Sequence, residues 1–341
     1  MVHETKREPG GASWAEMGRR LLAWYRKHKR DLPWRRTKDP YRIWISEIML
    51  QQTRVAAVLP YYARFLELFP DVQALARAPE HTLLAAWAGL GYYSRARNVQ
   101  KAAKQIVELG EFPRTYSSLR ELPGVGEYTA AAVASIAFGL PHAVMDGNVA
   151  RVLSRVTAEG GDIRSERVRK RLRGLAQLLL DPKQPGDFNQ ALMELGATVC
   201  VPKRPLCETC PVRMHCEARK QGLEHQLPVR GAQGSADQRE KKLLVIEKGG
   251  AVVFWQRTAE SSRLAEFWEL PEREQLPHAK VTGYAGVFRH TIVNTTYLVE
   301  VSRATLRSLP SGFRWLAKSS LQDIPVSTTA KKALAIYSRS K

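Results

Sequence analysis

The chain has 341 residues, enough for two domains that each bury a core. Its 53 lysines and arginines against 33 acids leave a formal net charge of +20, which points to a polyanion: nucleic acid foremost, with a ribosome or an anionic membrane surface exerting the same attraction. No stretch of 18 apolar residues occurs and MVHETKREPGGAS lacks the apolar centre of a signal peptide, so the expectation is a cytoplasmic protein with no membrane role.

Residues 1–12 read as disordered. From Trp14 to Lys29, the apolar residues Trp14, Met17, Leu21, Leu22 and Tyr25 recur at helical spacing and predict an amphipathic helix. Arg30-Asp-Leu32-Pro-Trp34-Arg35 follows, a proline-broken segment with an aromatic between two arginines; on its own it is an ordinary capped loop. Ile45, Ile48, Met49, Gln52, Val55 and Leu59 then advance by three or four, which predicts one helix with one buried stripe. Glu47 shares a side with Ile43, Trp44, Leu50 and Gln51. A helical glutamate is ordinarily solvated. In this apolar surround partial burial raises its pKa and keeps it protonated near neutrality, as a general acid requires.

Three further helices are expected over 61–115. They contain Trp87-Ala-Gly-Leu90-Gly-Tyr92-Tyr-Ser-Arg95, by itself a helix junction with a basic face. Leu122-Pro-Gly124-Val-Gly126 is a turn that no helix runs through, set between a short helix over Ser118–Leu122 and an alanine-rich, fully apolar one over Tyr128–Phe138. Such a hairpin collects backbone N–H groups at a helix N-terminus, which suits a phosphate. Gly139-Leu-Pro141 closes that helix, and Asp146 arrives just ahead of another, where a lone aspartate reads first as a cap.

Helices return over 149–200 and include Phe188-Asn-Gln190-Ala-Leu-Met-Glu194. All four cysteines then fall within 17 residues, as Cys200-x6-Cys207-x2-Cys210-x5-Cys216, a metal site for zinc or an iron–sulfur cluster. Zinc ribbons carry two short paired knuckles, and here there is one. Lys203 and Arg204, between the first two cysteines, face a DNA phosphate or form a solvated pair. The polar, small-residue stretch over 229–242 predicts a flexible linker. Strands are expected over Leu243–Glu247, Ala251–Gln256 and Thr295–Val301, with helix in the last 25 residues.

Together these motifs resemble the MutY-type adenine DNA glycosylases of the helix-hairpin-helix, endonuclease III superfamily. The resemblance implies a multidomain fold: an all-α helix-hairpin-helix glycosylase domain over 13–228, with the cluster loop at 200–216, then the linker and an α+β Nudix-like domain over 243–341. It implies one 4Fe-4S cluster on Cys200, Cys207, Cys210 and Cys216. It also implies a monomer acting on double-stranded DNA with adenine opposite 8-oxoguanine or guanine. Glu47 matches the catalytic acid and Asp146 the carboxylate that faces the sugar, with Tyr128 and Asn148 holding them. Arg30, Leu32, Trp34, Arg35 and Gln190 match the adenine pocket. Gln52 and Tyr92 match residues that enter the base stack, with Thr53 and Leu90 beside it, and Leu122, Gly124 and Gly126 match the DNA-gripping hairpin.

Two rival readings have discriminators. A bifunctional endonuclease III-like pyrimidine glycosylase and lyase places a Schiff-base lysine where this chain has Tyr128. A non-catalytic DNA-binding module needs neither a buried Glu47 nor Asp146. The chain also departs from the family. Glu272-Arg-Glu-Gln-Leu-Pro lacks the glutamate array of a Nudix box, and after Phe288-Arg-His-Thr291 the tip is Ile292-Val293-Asn294 instead of Phe-Ser-His. The second departure removes a hydroxyl, so a smaller preference for 8-oxoguanine over guanine is expected.

Overall fold

Apolar periodicity and caps place most helices where the sequence puts them. In the computed structural model, which describes residues 11–231, 237–258, 260–261, 264–292, 295–322 and 324–340, the helices of the first half are α1 (Gly11–His28), α2 (Pro40–Leu50), α3 (Val55–Leu68), α4 (Val72–Arg77), α5 (Glu80–Trp87), α6 (Ser94–Leu109) and α7 (Tyr116–Arg120). They are followed by α8 (Glu127–Phe138), α9 (Gly147–Val156), α10 (Glu166–Leu179), α11 (Pro185–Thr198), the short α12 (Glu217–Lys220) and α13 (Thr328–Arg339). The strands are β1 (Asp237–Lys248), β2 (Ala251–Gln256), β3 (Trp268–Glu269), β4 (Lys280–Ile292), β5 (Thr295–Thr305) and β6 (Phe313–Ala317). None of the described helices is long and apolar enough to cross a membrane.

Four expectations need correction. Helix α1 already includes Gly11 and Ala12, and residues 1–10 of the stretch expected to be disordered lie outside the described ones. The helix expected to run from Ile43 past Val55 is two helices. Asp39 caps α2 by accepting from the Tyr41 amide, the helix ends at Leu50, and Gln52 takes φ +58°. The apolar stripe continues across this break, so side-chain spacing alone does not reveal it. Part of the linker is strand: Asp237–Lys242 pairs in parallel with Thr295–Glu300, backbone hydrogen bonds supplying what the polar side chains do not. Of the last 25 residues, expected to be helical, Ala317 still belongs to β6 and regular α-helix begins only at Thr328.

Contacts divide the chain into two units, Met1–Gln52 with Lys104–Ala232, and Thr53–Ala103 with Gln233–Lys341. The first is all-helical. Its centre is α8, buried from Thr129 to Ile136, and α2, α7 and α11 pack against it. Alanines allow this close approach. A side chain at Gly186 of α11 would stand 2.7 Å from the Ser135 carbonyl oxygen. Gly139 ends α8 in the left-handed region at φ +69°, where glycine carries no Cβ penalty.

The second unit joins α3–α5 and the start of α6 to a six-stranded mixed sheet of order β3-β2-β1-β5-β4, with β6 on β2. Strand β1 runs parallel to β5; the other named pairs are antiparallel. Leu243 and Val245 pack with Val299, Val301 and the α13 residues Ala330 and Ala333. Their neighbours Leu244 and Ile246 pack on the other face with Val253, Leu276 and Ala304. Burial on both faces is why this strand reads as an unbroken apolar run. The Tyr93 ring meets Phe267 with centroids 4.0 Å apart, and Arg97 donates to the Ala265 carbonyl at 2.8 Å, tying the helices to the sheet.

Candidate active site

Helix α2 buries Glu47, which is 4% exposed, among Ile43, Trp44, Ile48 and other apolar residues of its own helix. Directly after the hairpin glycine, α8 presents Tyr128, whose hydroxyl donates to Glu47 Oε2 at 2.7 Å and lies 3.1 Å from Met193 Sδ. Burial pushes the Glu47 carboxyl up to about 7; the Tyr128 hydrogen bond and the Arg35 charge oppose this, while the Asp146 charge adds to it. Burial and the two nearby carboxylates also raise Tyr128 well above the ordinary phenol value, so it stays a donor.

Asp146 does cap a helix: it accepts from the Val149 amide at 2.7 Å and from Asn148 Nδ2 at 2.9 Å. Capping fixes both carboxylate oxygens in place without neutralising them. Burial raises the Asp146 carboxyl, and the Val149 and Asn148 hydrogen bonds oppose that rise. The loop leading to Asp146 is clamped by the buried Asn189, which accepts from the Val144 amide at 3.1 Å and donates to the His142 carbonyl and Ser135 Oγ at 2.8 Å. Asn148 is held in turn by Arg151, at 2.9 Å.

Two of the pocket-wall candidates, Arg30 and Arg35, meet at a residue that the sequence reading passed over. Glu194, one turn beyond Gln190 on α11, accepts from the Arg30 amide and Nε at 2.9 and 2.8 Å, from Arg30 Nη2 at 2.7 Å and from Arg35 Nη2 at 2.8 Å. Burial pushes its carboxyl up, yet the hydrogen bonds from Arg30 and Arg35 outweigh it and hold the group down at about 2. Leu32, Trp34 and Gln190 are buried, and the Arg35 guanidinium lies 5.5 Å from the centre of the Tyr25 ring. The available signal was Glu194 itself, an acid in the apolar series Phe188-Asn-Gln-Ala-Leu-Met-Glu-Leu.

The DNA-binding candidates differ in what they expose. Gln52 and Tyr92 are exposed and sit at φ +58° and +49°, each a strained backbone position. Arg95 braces the Tyr92 turn by donating to the Leu90 and Gly91 carbonyls at 3.1 Å. Gly124 at φ +76° makes the hairpin turn, and Gly126 precedes α8 with open space around it. Leu122 and Leu90 are only 2% and 6% exposed, so their side chains belong to the core. Thr53 is half-buried, and Lys203 and Arg204 are exposed. Ile292 ends β4 opposite Thr295; Val293 and Asn294 lie outside the described residues.

Cys200, Cys207, Cys210 and Cys216 line one apolar cavity with Val152, Leu195 and Val212. Among the described residues no three His, Cys, Asp or Glu side chains converge as on a single ion, so the thiols bound a chamber. Arg155, 1% exposed, donates to Cys200 Sγ at 3.3 Å and to the Val201 and Pro202 carbonyls at 2.8 Å. Arg151 and Arg155 also escaped the sequence reading, because a buried arginine in a basic helix carries no local mark.

Residues 45–177 match the HhH-GPD superfamily of base excision DNA repair proteins. The chain is 38% identical, over an alignment 398 positions long, to the human adenine DNA glycosylase, covering 93% of this chain and 73% of that protein. It resembles the solved structure of a thermostable thymine-DNA glycosylase at TM-score 0.56 and 29% identity, over 62% of this chain and 98% of that one. A DNA complex of endonuclease III shows the same helical fold at TM-score 0.54 and 23% identity, over 63% of this chain and 99% of that one. The chain therefore belongs to the adenine DNA glycosylase family, DNA repair enzymes of base excision that hydrolyse N-glycosyl bonds.

Proposed function

We propose that this enzyme, as a monomer, releases adenine from double-stranded DNA in which the adenine lies opposite 8-oxoguanine or guanine. The observation that carries the reading is the contrast between two neighbouring carboxyls: Glu47, buried and pushed up to about 7, and Asp146, fixed on two cap hydrogen bonds. Adenine flips from the stack into a pocket walled by Arg30, Leu32, Trp34, Arg35 and Gln190, where the amide of Gln190 pairs with the base edge. Tyr128 donates to Glu47 Oε2, which leaves Oε1 to carry the transferable proton. Glu47 gives that proton to N7, the glycosidic electron pair leaves with the base, and Asp146 stabilises the oxocarbenium-like sugar until water adds at C1′ and gives up a proton to the Glu47 carboxylate. Asn148 keeps Asp146 aimed at the sugar.

Gln52 and Tyr92 fill the gap left by the extruded nucleotide, with Thr53 and Leu90 beside them. Leu122, Gly124 and Gly126 offer backbone to the phosphates, and Lys203 and Arg204 offer charge. Cys200, Cys207, Cys210 and Cys216 would hold one 4Fe-4S cluster. The thiol-lined chamber and the Arg155 donor suit it, and its part is structural or DNA-sensing, since hydrolysis changes no oxidation state. Residues 13–228 form the glycosylase domain in this reading; the Nudix-like domain, 243–341, probes the opposite base with Ile292, Val293 and Asn294.

Single-turnover adenine release from defined duplexes tests the proposal. Release from both mispairs, absent from paired A:T, is expected, along with roughly four irons per chain. Strong borohydride trapping of an enzyme–DNA adduct would instead favour the lyase, and stoichiometric zinc without iron would overturn the cluster.

A further inference from the structure

We propose that Glu194 is a positioning residue for the Glu47 acid: by drawing the guanidinium groups of Arg30 and Arg35 onto its own carboxylate, it leaves Glu47 without a cation to hold it ionised. The proposal rests on the reading of Glu47 as the proton donor. Its basis is geometric. Four N–H donors converge on the two oxygens of Glu194 at 2.7–2.9 Å, and its side chain is 0% exposed. Arg35, whose side chain is only 9% exposed, stands on the turn packed directly against α2. An unneutralised guanidinium there acts on a neighbouring carboxyl with little screening and lowers its pKa by roughly one to three units.

The groups facing Glu47 are Tyr128 from α8, Asp146 from the start of α9, and Arg35; among these Arg35 is the cation. Glu194 faces Arg30, Arg35 and Tyr25 of α1, and Asp187 of its own helix also bears on Tyr25. Arg35 is thus flanked by two carboxyls and hydrogen-bonds to one of them. That choice makes Glu194 the paired anion and leaves Glu47 the proton.

The test is the pH dependence of single-turnover adenine release by the cluster-loaded full chain. Wild type loses activity through a basic limb as Glu47 ionises. Glu194→Gln keeps the shape and removes the charge, so the midpoint of that limb should fall by roughly one pH unit, a tenfold loss above the midpoint that acidification recovers. Adding Arg35→Met should move the midpoint back toward wild type, whatever the pocket loses in absolute rate. Should Glu194→Gln fail to fold, Arg35→Met alone carries the test, with a midpoint shifted upward. A pH-independent loss, or a downward shift that persists without Arg35, would overturn the proposal and leave Glu194 a structural ion-pair partner. Wild-type activity in Glu47→Gln would overturn the acid reading itself, a distinct result.

Discussion

Glu47 and Glu194 are both helical and both less than 5% exposed, yet their carboxyls lie on opposite sides of the ordinary value, at about 7 and about 2. Burial pushes each of them upward, so the partners make the difference. Glu194 receives four N–H groups from two arginines, whereas Glu47 receives one neutral hydroxyl. A buried carboxyl saturated by cations is scaffold, because its proton is gone at every working pH. One left with a neutral donor keeps a proton to give.

The largest test of this contrast replaces Glu47 with glutamine. Adenine release should fall by roughly 10²-fold or more in single-turnover assays while duplex binding survives, since only the transferable proton is lost. Unimpaired release would break the comparison at its chemical end.

Stability should follow pH in opposite senses at the two sites. Glu47 binds its proton more tightly folded than unfolded, so its contribution is full below about 4.5 and is lost as pH rises through about 7, by on the order of 3 kcal/mol. Glu194 is the reverse: its contribution is present above about 4.5 and lost as pH falls toward about 2. Denaturant unfolding should therefore find Glu47→Gln more stable than wild type at pH 8, with the advantage gone at pH 4. Equal gains at both values would contradict the burial argument.

Tyr128→Phe removes the hydrogen bond that lowers Glu47. The basic limb of the rate profile should then move up, opposite to the shift from Glu194→Gln, with a rate loss of about tenfold from the unsatisfied buried carboxyl. A downward shift would show that the hydroxyl does not stabilise the ionised form. The smallest effect belongs to Arg30→Lys, which keeps the charge and gives up the two-pronged grip on Glu194. A loss of about 1 kcal/mol in unfolding free energy with no shift in the rate profile is expected; a shifted profile would mean that geometry, rather than charge, links the sites.

Much of this protein was determined by its sequence alone, wherever the physics is local. The stripe on α1, the alanine-rich α8, the glycine that ends it, the capping position of Asp146 and the both-faces-buried strand β1 are matters of period and of neighbouring residue type. The apolar company of Glu47 on its own helix was legible for the same reason. Three things were settled only in the folded chain. One is the break of α2 at Gln51 and Gln52, where no glycine or proline marks a left-handed residue and the stripe resumes unbroken. Another is the pairing of the polar run Asp237–Lys242 with a strand nearly sixty residues away, which depends on backbone groups that every residue carries. The last is the fate of two arginines at positions 30 and 35. Their partner is some 160 residues away on α11, and which of two buried acids they neutralise is decided by distance in space, the quantity on which charge interactions depend.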